Sequence, residues 1–144
     1  RHGGGRLRPD DEPGRIRWRY WLHYAEGSAM TPLLLALLVR RIPGGAPRIL
    51  RPLLRPVMGR FGAGYVDPQL RTHADYWEAE LAGTGWFAGP AFSAADVMMS
   101  FPIETGAQRI GYADRPRLRD FLERIHARPA YQRALERGGP YAYA

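Results

Sequence analysis

Few residues in this 144-residue sequence are of the types that carry out covalent or metal chemistry. There is no cysteine, which excludes a disulfide framework, thiolate catalysis and cysteine-based metal sites. None of the three serines lies in the G-x-S-x-G pattern that is typical of hydrolases. The four histidines are too far apart for a local two-histidine metal motif: His2, His23, His73 and His126. The sequence therefore predicts no catalytic residue and no metal site within the chain.

The spacing of Ser93 and Asp96 indicates a helix start rather than a reactive pair. Ser93 can accept a hydrogen bond from the backbone amide of Asp96, and the Asp96 carboxylate can reach back to the amide of Ser93. Phe92 and Val97 flank this capping box at the positions of a hydrophobic staple. We therefore interpret Asp96 as a helix cap, and we expect Ser93→Ala to cost about 1 kcal/mol of stability or more.

The elements that position these residues are predicted to be helices throughout. No segment shows sustained alternation at period two, whereas apolar residues recur at helical spacing along the chain. A long helix is expected to begin after Asp10-Asp11-Glu12-Pro13 and to extend to about Arg41, with bends at Gly27 and Pro32. The sequence predicts an all-α domain of five or six helices without an internal repeat.

Three later helices are predicted from their start signals and apolar spacing. Asp67-Pro68 begins one, Asp114 with Pro116 begins another, and Arg128-Pro129 begins the last. Residues 59–64 (GRFGAG) do not have the dinucleotide-binding spacing and follow no strand, so we interpret them as a flexible turn. The expected inward-facing residues are Leu70, Ala74, Trp77 and Leu81 in the first of these helices, Leu118, Phe121, Leu122 and Ile125 in the second, and Trp86 between them.

The long first helix has two apolar stripes. One stripe contains Trp18, Leu22, Ala25 and Ala29, and the other contains Ile16, Tyr20, Tyr24 and Gly27. Both cannot be buried inside a domain of this size if the other helices are short, so one should face another domain or subunit. We therefore predict that the parent protein is a homodimer in which this helix, from Ile16 to Arg41, contributes to the subunit contact or to the cleft beside it.

The charge distribution excludes some partners. All 21 basic residues are arginine, and residues 1–60 hold 12 of them against four acidic residues, whereas residues 61–144 hold nine against ten. Arg15, Arg17 and Arg19 alternate with aromatic residues, but a helix turns Arg17 away from the other two, so we expect no nucleic-acid partner. The longest apolar run, residues 33–39, is far short of the ~20 residues that span a bilayer. We expect no membrane partner and a cytoplasmic location.

Three ordered motifs lie along the chain: residues 20–28 (YWLHYAEGS), residues 86–97 (WFAGPAFSAADV) with the capping box, and residues 128–135 (RPAYQRAL). Together they resemble the glutathione S-transferase family. In that family the capping box begins the central helix of an all-helical C-terminal domain, and residues 20–28 are similar to the first long helix in a bacterial and fungal branch. The resemblance implies that residues 10–144 are this domain and that residues 1–9 are a remnant of the preceding thioredoxin-like domain and linker.

The resemblance also implies a function. The family conjugates glutathione, its co-substrate, to hydrophobic electrophiles and needs no other cofactor. The residues that bind glutathione and activate its thiol belong to the thioredoxin-like domain, so this chain is expected to lack catalytic residues and to be inactive alone. The alternative function is a stand-alone helical protein-interaction module of the same superfamily.

By the same resemblance, the first long helix supplies part of the electrophile site. His23, Gly27 and Met30 follow i, i+4, i+7 spacing and share one face, with Tyr24 beside them. Gly27 would let a ligand approach the backbone, and Met30 would adapt to ligands of different shapes. We predict these four as substrate-binding residues, although the same face could instead pack against the thioredoxin-like domain.

Overall fold

A computed structural model describes residues 4–139 and 141–142, and this part of the chain is helical with no β-strand. The predicted all-α class is confirmed. Within these residues, seven α-helices and two π-helical segments join into five continuous helices, because each π segment links two α-helices without a break. In chain order they are α1 (Glu12–Tyr24), the first π segment (Ala25–Ala29), α2 (Met30–Gly45), α3 (Arg51–Phe61), the second π segment (Gly62–Val66), α4 (Asp67–Thr84), α5 (Ala94–Ile110), α6 (Pro116–His126) and α7 (Pro129–Gly138).

The first continuous helix begins where the sequence predicts and is longer than expected. Asp11 caps α1, since its carboxylate accepts a hydrogen bond from the amide of Gly14 at 2.8 Å. At the position of the expected bend the helix is π-helical, and the amide of Met30 bonds to the carbonyl of Ala25. Pro32 has no amide hydrogen to donate to the carbonyl four residues earlier. The absence of this hydrogen bond allows the wider π-helical turn just before it.

The prediction of a flexible turn at residues 59–64 is wrong. These residues continue α3 into the second π segment and then α4. A Cβ atom on Gly62 would lie 3.2 Å from the side chain of Val39 and 3.0 Å from that of Arg109, so the missing side chain permits close approach to α2 and α5. Glycine serves helix packing here, which the sequence pattern of one segment cannot reveal.

The core of the domain has two apolar clusters. The larger one is built around Trp21, Trp77, Phe87 and Phe121, and the smaller one around Leu33 with its neighbours from the second π segment and α4. The predicted inner face of α4 is confirmed, because all four of its residues are buried. Trp21 was in neither predicted stripe but is 1% exposed, whereas the neighbouring stripe residues Trp18 and Leu22 are only half-buried.

The helix Glu12–Gly45 is long and apolar enough to cross a membrane by length and composition alone. The core helix of a globular protein meets the same criterion. Here Trp21, Ala25 and Leu33 are buried against other helices of the domain, which accounts for part of the apolar character.

Candidate functional site

The predicted substrate-binding face coincides with the first π segment. His23 and Gly27 are exposed there, and a Cβ atom on Gly27 would meet open space. Met30 instead packs against the smaller core cluster. A π-helical turn holds more residues than an α-helical turn, so residues after Ala25–Ala29 are rotated relative to those before it. The structure therefore brings His23 and Gly27 to solvent and turns Met30 partly inward.

The fourth predicted residue, Tyr24, faces α4. Its hydroxyl is hydrogen-bonded to Nδ1 of His73, and its ring contacts those of Trp21 and Tyr76 edge-on. Burial raises the pKa of Tyr24 to about 12 and lowers the pKa of His73. Tyr24 is therefore the donor and neutral His73 the acceptor in this hydrogen bond. The pair fixes the inner side of the helix beneath the exposed positions of His23 and Gly27.

Asp96 holds together the start of α5 and the loop before it. Its Oδ2 atom accepts hydrogen bonds from the amide of Ser93 at 2.8 Å and from the Ser93 hydroxyl at 3.0 Å. Its Oδ1 atom accepts one from the amide of Phe87 at 2.8 Å. The Ser93 hydroxyl in turn accepts from the amide of Ala95 at 3.2 Å. The structure thus contains the capping box and adds the contact to Phe87, which no local sequence pattern indicates.

Both carboxylate oxygens of Asp96 accept hydrogen bonds from the start of α5 or from the loop before it. The side chain is fully buried, and burial raises the pKa of its carboxyl, with the hydrogen bonds from Phe87 and Ser93 opposing that shift. Phe87 is itself buried against Trp21 and Phe121. Asp96 therefore positions the aromatic core beside α1 rather than acting on a ligand.

The arginines near the start of α1 are ion-paired within the domain. Arg17 bonds to Glu80 at 2.8 Å, and Arg15 bonds to Glu12 at 2.7 Å. Arg19 lies 3.5 Å from the same Glu12 carboxylate. These three side chains do not form a single free basic surface.

The first turn of α6 is capped by Glu78, which belongs to a different helix, α4. Asp114 was expected to begin this helix, but it forms an ion pair with Arg115 instead, and Arg115 at the cap position provides no side-chain hydrogen bond to the helix. The Glu78 carboxylate accepts hydrogen bonds from the amides of Arg117 and Leu118, both at 2.9 Å. A long-range contact therefore replaces the local cap predicted from the sequence.

A buried carboxylate joins the last three helices. Glu104, 3% exposed, accepts hydrogen bonds from the hydroxyls of Tyr131 at 2.9 Å and Tyr141 at 2.7 Å, and lies 2.9 Å from Nε2 of His126. Burial and the Glu104 carboxylate both raise the pKa of Tyr131. Each oxygen of Glu104 has a partner, so the cluster connects α5, α6, α7 and the segment after α7. Sequence reasoning missed it because its four members belong to separate segments.

Two open cavities lie near the amino-terminal end of α5, away from the predicted binding face. One has a volume of about 500 Å³ and is lined by residues 5–8, Trp18 and Ala94. The other, about 360 Å³, lies between Phe92, Arg128 and Tyr131. His23, Tyr24, Gly27 and Met30 line neither cavity, so their role in binding stays a prediction. Among the residues that the structure describes, no group of three or more metal-ligating side chains is present.

Residues 4–9 run along the domain before α1. The amide of Ala94 donates a hydrogen bond to the carbonyl of Leu7 at 2.9 Å, which ties this segment to the start of α5. Residues 1–3 of the expected linker remnant, including His2, lie outside the described residues. The division of the chain at residue 9 stays a prediction.

Comparisons with known proteins agree with this helical arrangement. The family model of the glutathione S-transferase C-terminal domain matches residues 63–129. Glutathione S-transferase 1 of Saccharomyces cerevisiae is 27% identical over 122 residues, which are 82% of this chain and 52% of that protein. Glutathione S-transferase 3 of Schizosaccharomyces pombe is 27% identical over 123 residues, 84% of this chain and 50% of that protein. The chain spans about half the length of these curated relatives.

Solved structures give the same result. A glutathione S-transferase from Actinobacillus pleuropneumoniae superposes with a TM-score of 0.68 at 26% identity, covering 91% of this chain and 54% of that chain. FzlA from C. crescentus has the same TM-score at 18% identity, covering 94% and 57%, and shows a shared fold only. The family model, the relatives and the structures together show that this chain is similar to the C-terminal helical domain of glutathione S-transferases.

Proposed function

We propose that this domain forms the electrophile-binding part of a glutathione transferase. Its similarity to the C-terminal domain of that family carries this proposal, and the relatives that it matches bear that name. In the proposed reaction the thiolate of glutathione attacks an electrophilic carbon and a carbon–sulfur bond forms. In a substitution the leaving group departs with its bonding electron pair, and in an addition to a double bond the neighbouring carbon takes up a proton from solvent. The thiol proton passes to solvent.

The exposed part of the α1 helix supports a role in holding the electrophile. His23 and Gly27 lie beside a π-helical segment, and π segments inside α-helices occur frequently at functional sites. The open space above Gly27 leaves room for an apolar ligand against the backbone. The proposed substrate-binding residues are His23, Tyr24, Gly27 and Met30. Tyr24 contributes by its hydrogen bond to His73, which holds this part of the helix against α4.

Glutathione binding and thiol activation are assigned to a thioredoxin-like partner domain. The described residues form helices and their connections without a β-strand, and none of their serines or tyrosines is one that the resemblance identifies as thiol-activating. We expect the 144-residue chain alone to have no measurable transferase activity. Joining it to a thioredoxin-like glutathione-binding domain should restore conjugation of an aromatic halide.

The test uses calorimetry and a conjugation assay on both proteins. Heat of glutathione binding should be absent for the 144-residue chain and present for the joined protein. A micromolar dissociation constant for the chain alone would contradict the assignment of glutathione binding. Absence of conjugation by the joined protein across a panel of electrophiles, with glutathione bound, would favour the interaction-module alternative.

A homodimer is also proposed, with contact through the exposed stripe of α1. Ile16 is 56% exposed and Tyr20 is 47% exposed, whereas Ala25 and Ala29 of the other stripe are buried. Ile16 and Tyr20 thus remain uncovered within the domain, while Tyr24 of the same stripe packs against α4. Sedimentation of the full-length protein at micromolar concentration should give a dimer, and Ile16→Ser should weaken it. A cytoplasmic location is proposed as well and is checked by cell fractionation.

A further inference from the structure

The α2–α3 tip carries an unusual density of exposed aliphatic side chains. We define this tip as residues 34–61, which comprise most of α2, the connection at residues 46–50, and α3. Ile49 is 85% exposed and Leu53 is 65% exposed. The other large apolar residues of the tip that are exposed are Leu34, Leu37, Leu38, Ile42, Leu50, Val57 and Phe61. Isolated exposed apolar residues are normal, but a collection of this size marks an interaction surface.

These side chains follow the spacing of helical stripes. On α3 the stripe is Leu50, Leu53, Val57 and Phe61, at i, i+3, i+7 and i+11. On α2, Leu34, Leu38 and Ile42 follow at i, i+4 and i+8. The two helices pack against each other, and the smaller core cluster holds them together beneath the tip. The apolar stripes therefore lie on neighbouring helices of one hairpin.

The same tip is strongly basic. It contains six arginines and no acidic residue, and no aspartate or glutamate occurs anywhere between Glu26 and Asp67. The arginines are Arg40, Arg41, Arg48, Arg51, Arg55 and Arg60. Arg48 and Arg55 are exposed on either side of Ile49 and Leu53 in the chain. A basic surface with exposed aliphatic residues is the combination that binds anionic lipid headgroups and the acyl region below them.

We propose that the α2–α3 tip binds peripherally to the surface of an anionic lipid bilayer. Ile49, Leu50 and Leu53 enter the headgroup region, while Arg48 and Arg55 contact the lipid phosphates and carboxylates. A second copy of the chain is a poorer occupant, because it would bring two surfaces of the same strong charge together. Nucleic acid is also a poorer occupant, because Ile49, Leu50 and Leu53 are aliphatic and cannot stack on bases, and the aromatic ring of Phe61 is already stacked on Tyr65.

This proposal differs from the sequence-based prediction of no membrane partner. That prediction rested on the length needed to span a bilayer, and peripheral binding needs no spanning segment. The proposal is independent of transferase activity, since it concerns neither the α1 face nor glutathione.

The first experiment measures sedimentation of the chain with vesicles. Vesicles of phosphatidylcholine containing about a third phosphatidylserine should bind the protein, and vesicles of phosphatidylcholine alone should bind it at least tenfold more weakly. Raising the salt concentration from 0.1 to about 0.5 M should weaken binding, because surface charges are then screened. Equal binding to both vesicle types, or binding to neither, overturns the proposal.

Paired variants locate the contact. Arg48→Gln with Arg55→Gln should reduce the partition coefficient roughly 10- to 30-fold. Arg133→Gln with Arg137→Gln removes the same charge from exposed positions of α7 and should change it less than twofold. All four positions lie outside the core, and circular dichroism checks that both variants remain folded. An equal loss in the two variants would show that net charge, rather than the tip, governs binding.

A label at Ile49 tests insertion directly. The sequence contains no cysteine, so Ile49→Cys provides one attachment site for an environment-sensitive fluorophore, and Arg133→Cys provides the control. Anionic vesicles should shift the emission of the Ile49 label to shorter wavelength and leave that of the control unchanged. A shift that appears with rising protein concentration or with an added oligonucleotide, but not with vesicles, would assign the tip to a second copy or to nucleic acid and overturn the proposal.

Discussion

Asp96 accepts a hydrogen bond from the backbone amide of Phe87 at 2.8 Å, so one buried carboxylate fixes both the start of α5 and an aromatic residue of the core. The hydrogen bonds from Ser93 that define the capping box are therefore only part of its contribution. This relationship means that the cap and the core should respond together to substitution at one position.

We expect Asp96→Ala to destabilise the domain more than Ser93→Ala does. The aspartate substitution removes three hydrogen bonds to a carboxylate and leaves two buried amides without partners, costing about 3 kcal/mol or more, against about 1 kcal/mol for the serine. Urea unfolding of each variant measures the difference. Asp120→Ala, at an exposed ion pair on α6, is the control and should cost less than about 1 kcal/mol. Equal losses for Ser93→Ala and Asp96→Ala would contradict this account.

Removing the side chain of Glu78 should loosen α6. Its carboxylate accepts from the amides of Arg117 and Leu118, and the side chain of Arg115 at the cap position makes no hydrogen bond to the helix. We expect Glu78→Ala to cost about 1 to 2 kcal/mol and to increase hydrogen exchange at Leu118. Glu123→Ala, at an exposed position within α6, is the matched control and should be nearly neutral. Unchanged exchange at Leu118 in the Glu78 variant would show that the cap is dispensable.

The free energy of unfolding should depend on pH through His73. Burial lowers the pKa of His73 in the folded domain below its ordinary value of 6.5. As the pH falls through 6.5 the unfolded chain takes up a proton before the folded one, so this residue reduces stability at acid pH and has no effect well above 6.5. His73→Gln should therefore lose less stability than the unsubstituted protein between pH 7.5 and 5.5.

The comparison of the two proteins isolates this residue, because the His126–Glu104 contact is present in both. Urea unfolding at pH 7.5, 6.5 and 5.5 gives the two pH profiles. Parallel profiles would mean that protonation of His73 is not coupled to folding. A steeper loss in the His73→Gln variant would reverse the sign assigned here.

Substitution of Gly27 separates binding from folding. A side chain at this position meets open space, so Gly27→Ala should leave stability unchanged or raise it by about 0.5 to 1 kcal/mol, the helix preference of alanine over glycine. In the protein joined to a glutathione-binding domain, Gly27→Leu should raise the KM for the electrophile several-fold and leave the KM for glutathione unchanged. Gly64→Leu is the control, since it also meets open space but lies in the second π segment.

The outcome for Gly27 bears on the proposed site alone. Equal KM values for the electrophile in the Gly27 variant, its control and the unsubstituted protein would remove Gly27 from the binding site. A rise in both KM values would indicate a general disturbance of the domain instead.

Residues whose partners lie within one helix or one turn were predictable from the sequence. The inner face of α4 follows helical spacing, and Ser93 and Asp96 lie three positions apart. The burial of Trp21 was missed because spacing within one helix favoured the stripe of Trp18, whereas the packing of α4 and Phe87 decides which indole is enclosed.

The remaining differences arise from contacts between distant segments. The glycine at position 62 is needed because Val39 and Arg109 approach it, and neither is visible in the local pattern that suggested a turn. The π turn beside Gly27 likewise changes which residues share the predicted binding face. The candidate site was therefore predicted as a set of residues, and its geometry required the structure.

The short sequence separation between Asp96 and Phe87 also affects the order in which parts of the domain can fold. Its bond to Phe87 closes a loop of only nine residues, while the bond from Leu118 to Glu78 spans 40 residues. Loops of about ten residues close within 10 to 100 ns, and the entropic cost of closure increases with length. The start of α5 and the loop from Phe87 that precedes it can therefore form as a local nucleus before α6 packs against α4.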